Sequence, residues 1–175
     1  GDIVWPRPRG ARLGSVFPSS GEALRVQGFA ALRADDPASA VLSFTAALAI
    51  PAQDSGEGAR HELLHTLARA RILAGDTESP LAQAREEVQR DATAANRLDY
   101  ALLLMTARRD PAATQQLEIL GKSSEYAPVA IRLMGLIAFQ EGQLDAAAVR
   151  FTELLGAGKY LDDSYYYLGL IADRH

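Results

Sequence analysis

The side chains best suited to chemistry stand together in His61-Glu62-Leu63-Leu64-His65, an H-E-x-x-H stretch. On a helix this spacing sets two imidazoles one turn apart with a carboxylate beside them. A zinc-dependent hydrolase uses that arrangement for two metal ligands and a general base. A third ligand is harder to find. His175 is the only other histidine and is remote in sequence, while Glu78, Glu86 and Glu87 are available on the next expected helix. No strand signal supplies the sheet edge on which a substrate peptide would lie. The stretch falls in a helix where Leu64, Leu67 and Ala68 are expected to pack, so His61 and His65 read as residues of a solvated or groove-lining face. The expectation is therefore no metal, no cofactor and no catalytic residue, with a zinc hydrolase using His61, Glu62 and His65 as the alternative. Other catalytic sets are missing: the chain has no phosphate-cradling glycine loop, no nucleophile elbow and no cysteine.

Composition narrows the class. The 175 residues carry a net charge of −4, the wrong sign for binding nucleic acid through a general basic field. No apolar run approaches the roughly 18 residues of a membrane span. Alanine (32 residues) and leucine (24) dominate, and tryptophan occurs once, a mix that favours closely packed helices.

Residues 1–20 hold Pro6, Pro8 and Pro18 with Arg7, Arg9 and Arg12 between them, and read as an extended arm. From Gly21 the pattern predicts helices over 21–34, 37–49, 59–74, 80–93, 96–108, 111–121, 127–140, 144–156 and 162–174. Three starts carry a proline behind a capping residue: Asp36-Pro37, Ser79-Pro80 and Asp110-Pro111. Proline there loses no hydrogen bond, since its missing N–H would have had no helical partner. Asp162-Asp163 is expected to cap the last helix.

A period of 34 residues runs through this helical text. Ile131–Ala138 aligns with Tyr165–Ala172 around Gly135 and Gly169, and a further step back from Gly135 lands on Ala101. Offsets of 12, 16 and 19 from each small residue fall on Ala147, Phe151 and Leu154, and on Ala113, Leu117 and Leu120. From Gly28 the same offsets fall on Ala40, Phe44 and Ala47. The remaining small residue, Ala68, lies 40 residues after Gly28, with the loop 51–58 absorbing the excess. The following helix shows a shifted stripe of Leu81, Ala84 and Val88.

This register resembles the tetratricopeptide repeat over about Gly21 to His175. The resemblance implies an all-α fold, a right-handed α-solenoid of antiparallel helix pairs. The repeats would span about 21–54, 59–93, 94–126 and 127–160, with a partial one at 161–175. Stacked pairs would share a continuous core. The last helix has no pairing helix, so its face with Tyr167, Leu168 and Ile171 is expected to be partly bare and the chain to be a piece of a longer protein. In this family ligands lie as peptides or helices on the concave face of the first helices. Offsets of −3, +1 and +4 there give Arg25, Phe29, Leu32; His65, Arg69, Ile72; Leu98, Leu102, Met105; Arg132, Leu136, Phe139; and Tyr166, Leu170, Asp173. The expected partner-binding groove is thus an apolar floor dotted with Arg25, Arg69 and Arg132, suited to an amphipathic segment with acidic residues. The N-terminal arm with Trp5 is the competing internal occupant.

The first function expected is a non-catalytic scaffold or adaptor for a protein or peptide partner, with no nucleic acid. The other is homo-oligomerisation through the C-terminal helix. The stretch 161–172 is similar to repeat proteins of proteobacteria, including envelope lipoproteins that act as protease adaptors. That likeness implies a bacterial source and a periplasmic or outer-membrane-associated location, with the cytoplasm as the alternative. Sixteen arginines against two lysines fit a GC-rich bacterial genome.

Overall fold

The computed structural model describes residues 20–51 and 57–174. Among them are nine α-helices and no strand: α1 (Gly21–Arg33), α2 (Pro37–Ala49), α3 (Glu57–Leu73), α4 (Glu78–Arg90), α5 (Ala94–Thr106), α6 (Asp110–Leu120), α7 (Ala127–Gln140), α8 (Leu144–Gly156) and α9 (Leu161–Ala172). The arm, its Trp5, most of the loop after Pro51 and His175 lie outside the described residues. No described helix is long and apolar enough to cross a membrane.

Side chains that satisfy free amides start several helices. The Ser20 hydroxyl accepts from the Ala23 N–H, the Asp36 carboxylate from Ser39 and the Thr93 hydroxyl from Asn96. Asp36-Pro37 behaves as its sequence predicts. The other two proline pairs do not. Helix α4 begins at Glu78, so Ser79 is already helical, and its hydroxyl donates to Asp76 instead. Helix α6 begins at Asp110 itself, whose carboxylate faces Arg108 at 3.4 Å rather than the free amides. In α9 neither aspartate is the cap; Tyr160 holds that place in a left-handed conformation. In α4 and α6 alike, the helix begins ahead of the proline, which is the third residue of α4 and the second of α6.

Five of the described helices end in the same way: α8, at Gly158, and the four first helices of the repeat register. Seven residues after Gly28, Ala68, Ala101 and Gly135 stand Asp35, Gly75, Arg108 and Gly142, all with positive φ. In each turn this residue's N–H reaches the carbonyl at offset +4: Leu32, Ile72, Met105 or Phe139, at 3.0–3.2 Å. The next N–H reaches the carbonyl at offset +3: Ala31, Arg71, Leu104 or Ala138, at 2.8–2.9 Å. These paired bonds satisfy the last carbonyls of the helix and reverse the chain. Glycine meets the positive φ without steric cost at Gly75 and Gly142.

The chain divides between Ala70 and Arg71, in the last turns of α3, into two compact units. In the first, α1 and α2 form an antiparallel hairpin. Gly21 approaches the Ala47 carbonyl at one end, and Gly28 lies against the Phe44 ring at the middle. Its core is Ala40, Phe44, Ala47, Leu63 and Ala70, with Leu24, Ala31 and Leu67 packed on it. The packing stripe of α3 is therefore Leu63, Leu67 and Ala70. Leu64 is exposed and Ala68 only half-buried, which corrects the expected Leu64–Ala68 face. Residues 63, 67 and 70 follow a helical four-three step, and Leu64 lies one residue off that line.

In the second unit each helix from α4 to α9 packs on the next. The ridges at offsets 12, 16 and 19 are buried in α6 and α8 as in α2, none of their residues more than 7 % exposed. Gly135 lies under the Phe151 ring as Gly28 lies under Phe44. The shifted stripe of α4 also holds, with Leu81 and Ala84 buried and Val88 half-buried.

Candidate functional site

Both units carry first-helix residues expected to bind a partner. In the first, Phe29 stands at the surface of α1, edge-on to Phe44 with centroids 5.2 Å apart. With Val26, Ala30, Arg33 and Ala34 it lines a shallow depression of about 560 Å³. Val26 is among the more exposed apolar side chains and was not singled out by the repeat register, because it lies one position outside the chosen offsets. Arg25 sits one turn from Glu22 at 3.5 Å, and its buried Nε has no acceptor among the described residues. Arg69 is exposed on α3.

In the second unit, Leu102 and Met105 are half-buried on α5. Leu136 and Phe139 rest on the core formed by Ala138, Ala147, Phe151, Leu154 and Ile171. Phe139 meets the Tyr167 ring edge-on at 5.2 Å, and the Arg174 guanidinium lies 4.6 Å above its centroid. Tyr166 is exposed and Leu170 half-buried on α9. Arg132 is engaged within the chain: its Nε donates to Asp163, and its guanidinium lies over the Tyr160 ring at 5.2 Å. The first turn of α9 thus supplies Arg132 with the carboxylate that was expected from a partner. Of the ten predicted groove residues, Arg132, Leu136, Phe139, Tyr166 and Leu170 belong to α7 and α9. Phe139 among them is a packing residue as much as a surface one.

The residue that organises this end of the molecule is Tyr167. Its ring stacks on Phe151 at 4.9 Å, within 9° of parallel, while Tyr166 and Phe139 meet it edge-on. Such aromatic contacts add about 0.5–1.5 kcal/mol each beyond buried area. Together with Leu168 and the buried Ile171 it attaches α9 to α8. The face of α9 expected to be bare is therefore the covered one. The uncovered face holds Leu161, Tyr165, Gly169 and Ala172, all exposed. The sequence carried the signal: Leu168 and Ile171 continue the apolar spacing of Tyr167, whereas Tyr165 and Gly169 lie on the adjoining side.

On α3, His61 and Glu62 are exposed and His65 is half-buried. The Glu62 carbonyl accepts from the Thr66 hydroxyl at 2.9 Å. Among the described residues no three His, Asp or Glu side chains converge as a metal site would need; His175 is outside them.

Two carboxylates are held below their ordinary range. Asp36 is lowered by the Ser39 side chain and then by its backbone N–H. Asp76 is lowered by the Ser79 hydroxyl, then by Arg71, whose Nε donates to it at 2.9 Å. Both occupy the second residue of a helix-reversing turn, so their charge serves the turn.

A second concavity, of about 430 Å³, lies between α6, α7 and α8, with Met134, Ile137 and Ala138 beneath Glu118, Glu141 and Arg150. Thr114 and Gln143 complete its polar lining, which mixes both charge signs.

In comparisons with known proteins, the sequence matches no protein family and no characterised protein.

Proposed function

We propose that this protein is a non-catalytic helical-repeat scaffold of the tetratricopeptide kind, a right-handed solenoid that holds a peptide or amphipathic helix against its first helices. One observation supports the reading above the others. The same helix reversal, with the same pair of backbone hydrogen bonds, recurs at Asp35, Gly75, Arg108 and Gly142. A chain that repeats one hairpin builds surface area by addition, and the residues left outward on the first helices become its recognition surface. Those are Arg25, Phe29 and Arg69 in the first unit, and Leu102, Met105, Arg132, Leu136, Phe139, Tyr166 and Leu170 in the second. Their apolar character favours a partner that inserts hydrophobic side chains.

The test is capture of a partner from the source cells by the wild-type chain and by two surface variants, Leu102→Asp and Tyr166→Ala. Both variants are expected to lose the captured protein while staying folded, Tyr166→Ala giving up no more than the roughly 0.5–1.5 kcal/mol of its edge contact with Tyr167. Phe139 is left out because its ring is part of the α7–α9 packing. Capture that survives both substitutions removes this surface from the proposal. One zinc per chain after dialysis, with peptide hydrolysis lost on Glu62→Gln, would replace the scaffold by a hydrolase.

A further inference from the structure

The concavity of the second unit has α6 and α8 as its walls and α7 as its floor. Arg108, two residues before α6, donates to Gln140 at the end of α7, so α6 starts where α7 ends. Helix α8 also returns along α7, bringing Arg150 and Phe151 beside Gly135. Both walls therefore run antiparallel to the floor, and the charges take definite places along it. Glu141 and Gln143 stand at the Gln140 end. The opposite end holds Glu118 on α6, Arg150 on α8 and Met134 beneath them. Met134 and Glu141 are two helical turns apart, about 10 Å along the axis. Between them the floor is the buried, uncharged pair Ile137 and Ala138. Among the described residues Glu118 and Glu141 have no basic partner, and Glu141 accepts from the Gln143 amide at 2.9 Å. Arg150 reaches Glu153 only at 3.7 Å, one turn along its own helix, and its side chain is 42 % exposed. The lining thus offers two carboxylates and one guanidinium around an apolar strip.

We propose that this concavity binds a free basic amino acid, lysine or arginine. The α-carboxylate pairs with Arg150 and the α-ammonium with Glu118. The aliphatic stem lies over Ile137 and Ala138, and the side-chain cation meets Glu141 at the other end. Ligand and lining are charge opposites: two cations and one anion against two anions and one cation. An apolar amino acid leaves Glu141 unmet, and an acidic one is repelled by it. The volume of about 430 Å³ lies within the range of small-molecule sites. The site shares no residue with the partner-binding surface proposed above, so the two can fail separately.

Exposed ion pairs are individually weak, so millimolar affinity is expected. The test is a nitrogen-15 chemical-shift titration of the full 175-residue chain with three probes. These are L-lysine, L-norleucine, which lacks the side-chain amine, and Nα-acetyl-lysine amide, which lacks both α charges. Lysine should give saturable shifts centred on Glu118, Glu141 and Arg150, and the other two should bind about tenfold more weakly. Glu141→Gln should lower lysine to the norleucine level, and Arg150→Gln should lower it to that of the acetylated amide. Glu141 is exposed and Arg150 half-buried, so unchanged thermal unfolding of each variant certifies its fold. Lysine that fails to saturate at millimolar concentrations, or that binds undiminished after Glu141→Gln, overturns the proposal. Norleucine binding as tightly as lysine does the same. Equal binding of the acetylated amide also overturns it, since the concavity then takes a side chain of a polypeptide.

Discussion

Gly28, Gly135 and Gly169 occupy one position of the repeat and meet three different surroundings. A Cβ on Gly28 would come within 2.7 Å of Phe44 Cδ1 and Cζ, and that ring is completely buried. At Gly135 the nearest atoms, Phe151 Cζ and Arg150 Cβ, stand at 3.1 and 3.2 Å. At Gly169 no atom of the described residues comes within 4 Å. Alanine should therefore cost about 1–3 kcal/mol at Gly28 through overpacking. At Gly169 it should gain about 0.5–1 kcal/mol, because glycine is the poorer helix former. Gly135→Ala falls between them, and Gly135→Leu costs about 1–3 kcal/mol. Urea unfolding of the three alanine variants measures this order directly. A Gly28→Ala chain as stable as Gly169→Ala would mean that Phe44 does not sit on Gly28.

The helices depend on their turns, and two of the four equivalent turns hold an aspartate at the same place. Asp36 and Asp76 have folded pKa values below their unfolded ones. Stability from such groups is fully present above the unfolded pKa and is lost as pH falls through the folded one. Thermal stability should accordingly decline as the solution is acidified below about pH 4, the ordinary carboxylate range. The double variant Asp36→Asn, Asp76→Asn should show a shallower decline than the wild-type chain. Equal slopes in calorimetry across that range would show that these caps do not contribute. The α9 end relies on different interactions, the Arg132–Asp163 pair and the rings around Tyr167.

For the whole molecule, periodicity carried the reading well and its neighbours less so. The buried ridges of α2, α6 and α8 were legible, because offsets of 12, 16 and 19 from a small residue fall on alanine and large apolar side chains that have one place to go. Helix ends were legible to within one to three residues. Illegible were features that arise between elements. Asp163 and Arg132 are 31 positions apart, and only the folded chain shows their pairing. The covered face of α9 was misassigned because Tyr165, Tyr166 and Tyr167 are identical in type and differ only in angle around the helix. Positive φ at Arg108 left no sequence signal, and at Asp35 only the weak one that aspartate is enriched in the left-handed region.

The claim on which the rest depends is that one hairpin geometry recurs along the chain. Nuclear magnetic resonance of the labelled protein tests it through two sets of signals. Overhauser contacts are expected from Gly28 Hα to the Phe44 ring and from Gly135 Hα to the Phe151 ring. Left-handed backbone couplings are expected at Asp35, Gly75, Arg108 and Gly142. Ring contacts to residues other than these glycines, or helical couplings at any of the four turn positions, would contradict it.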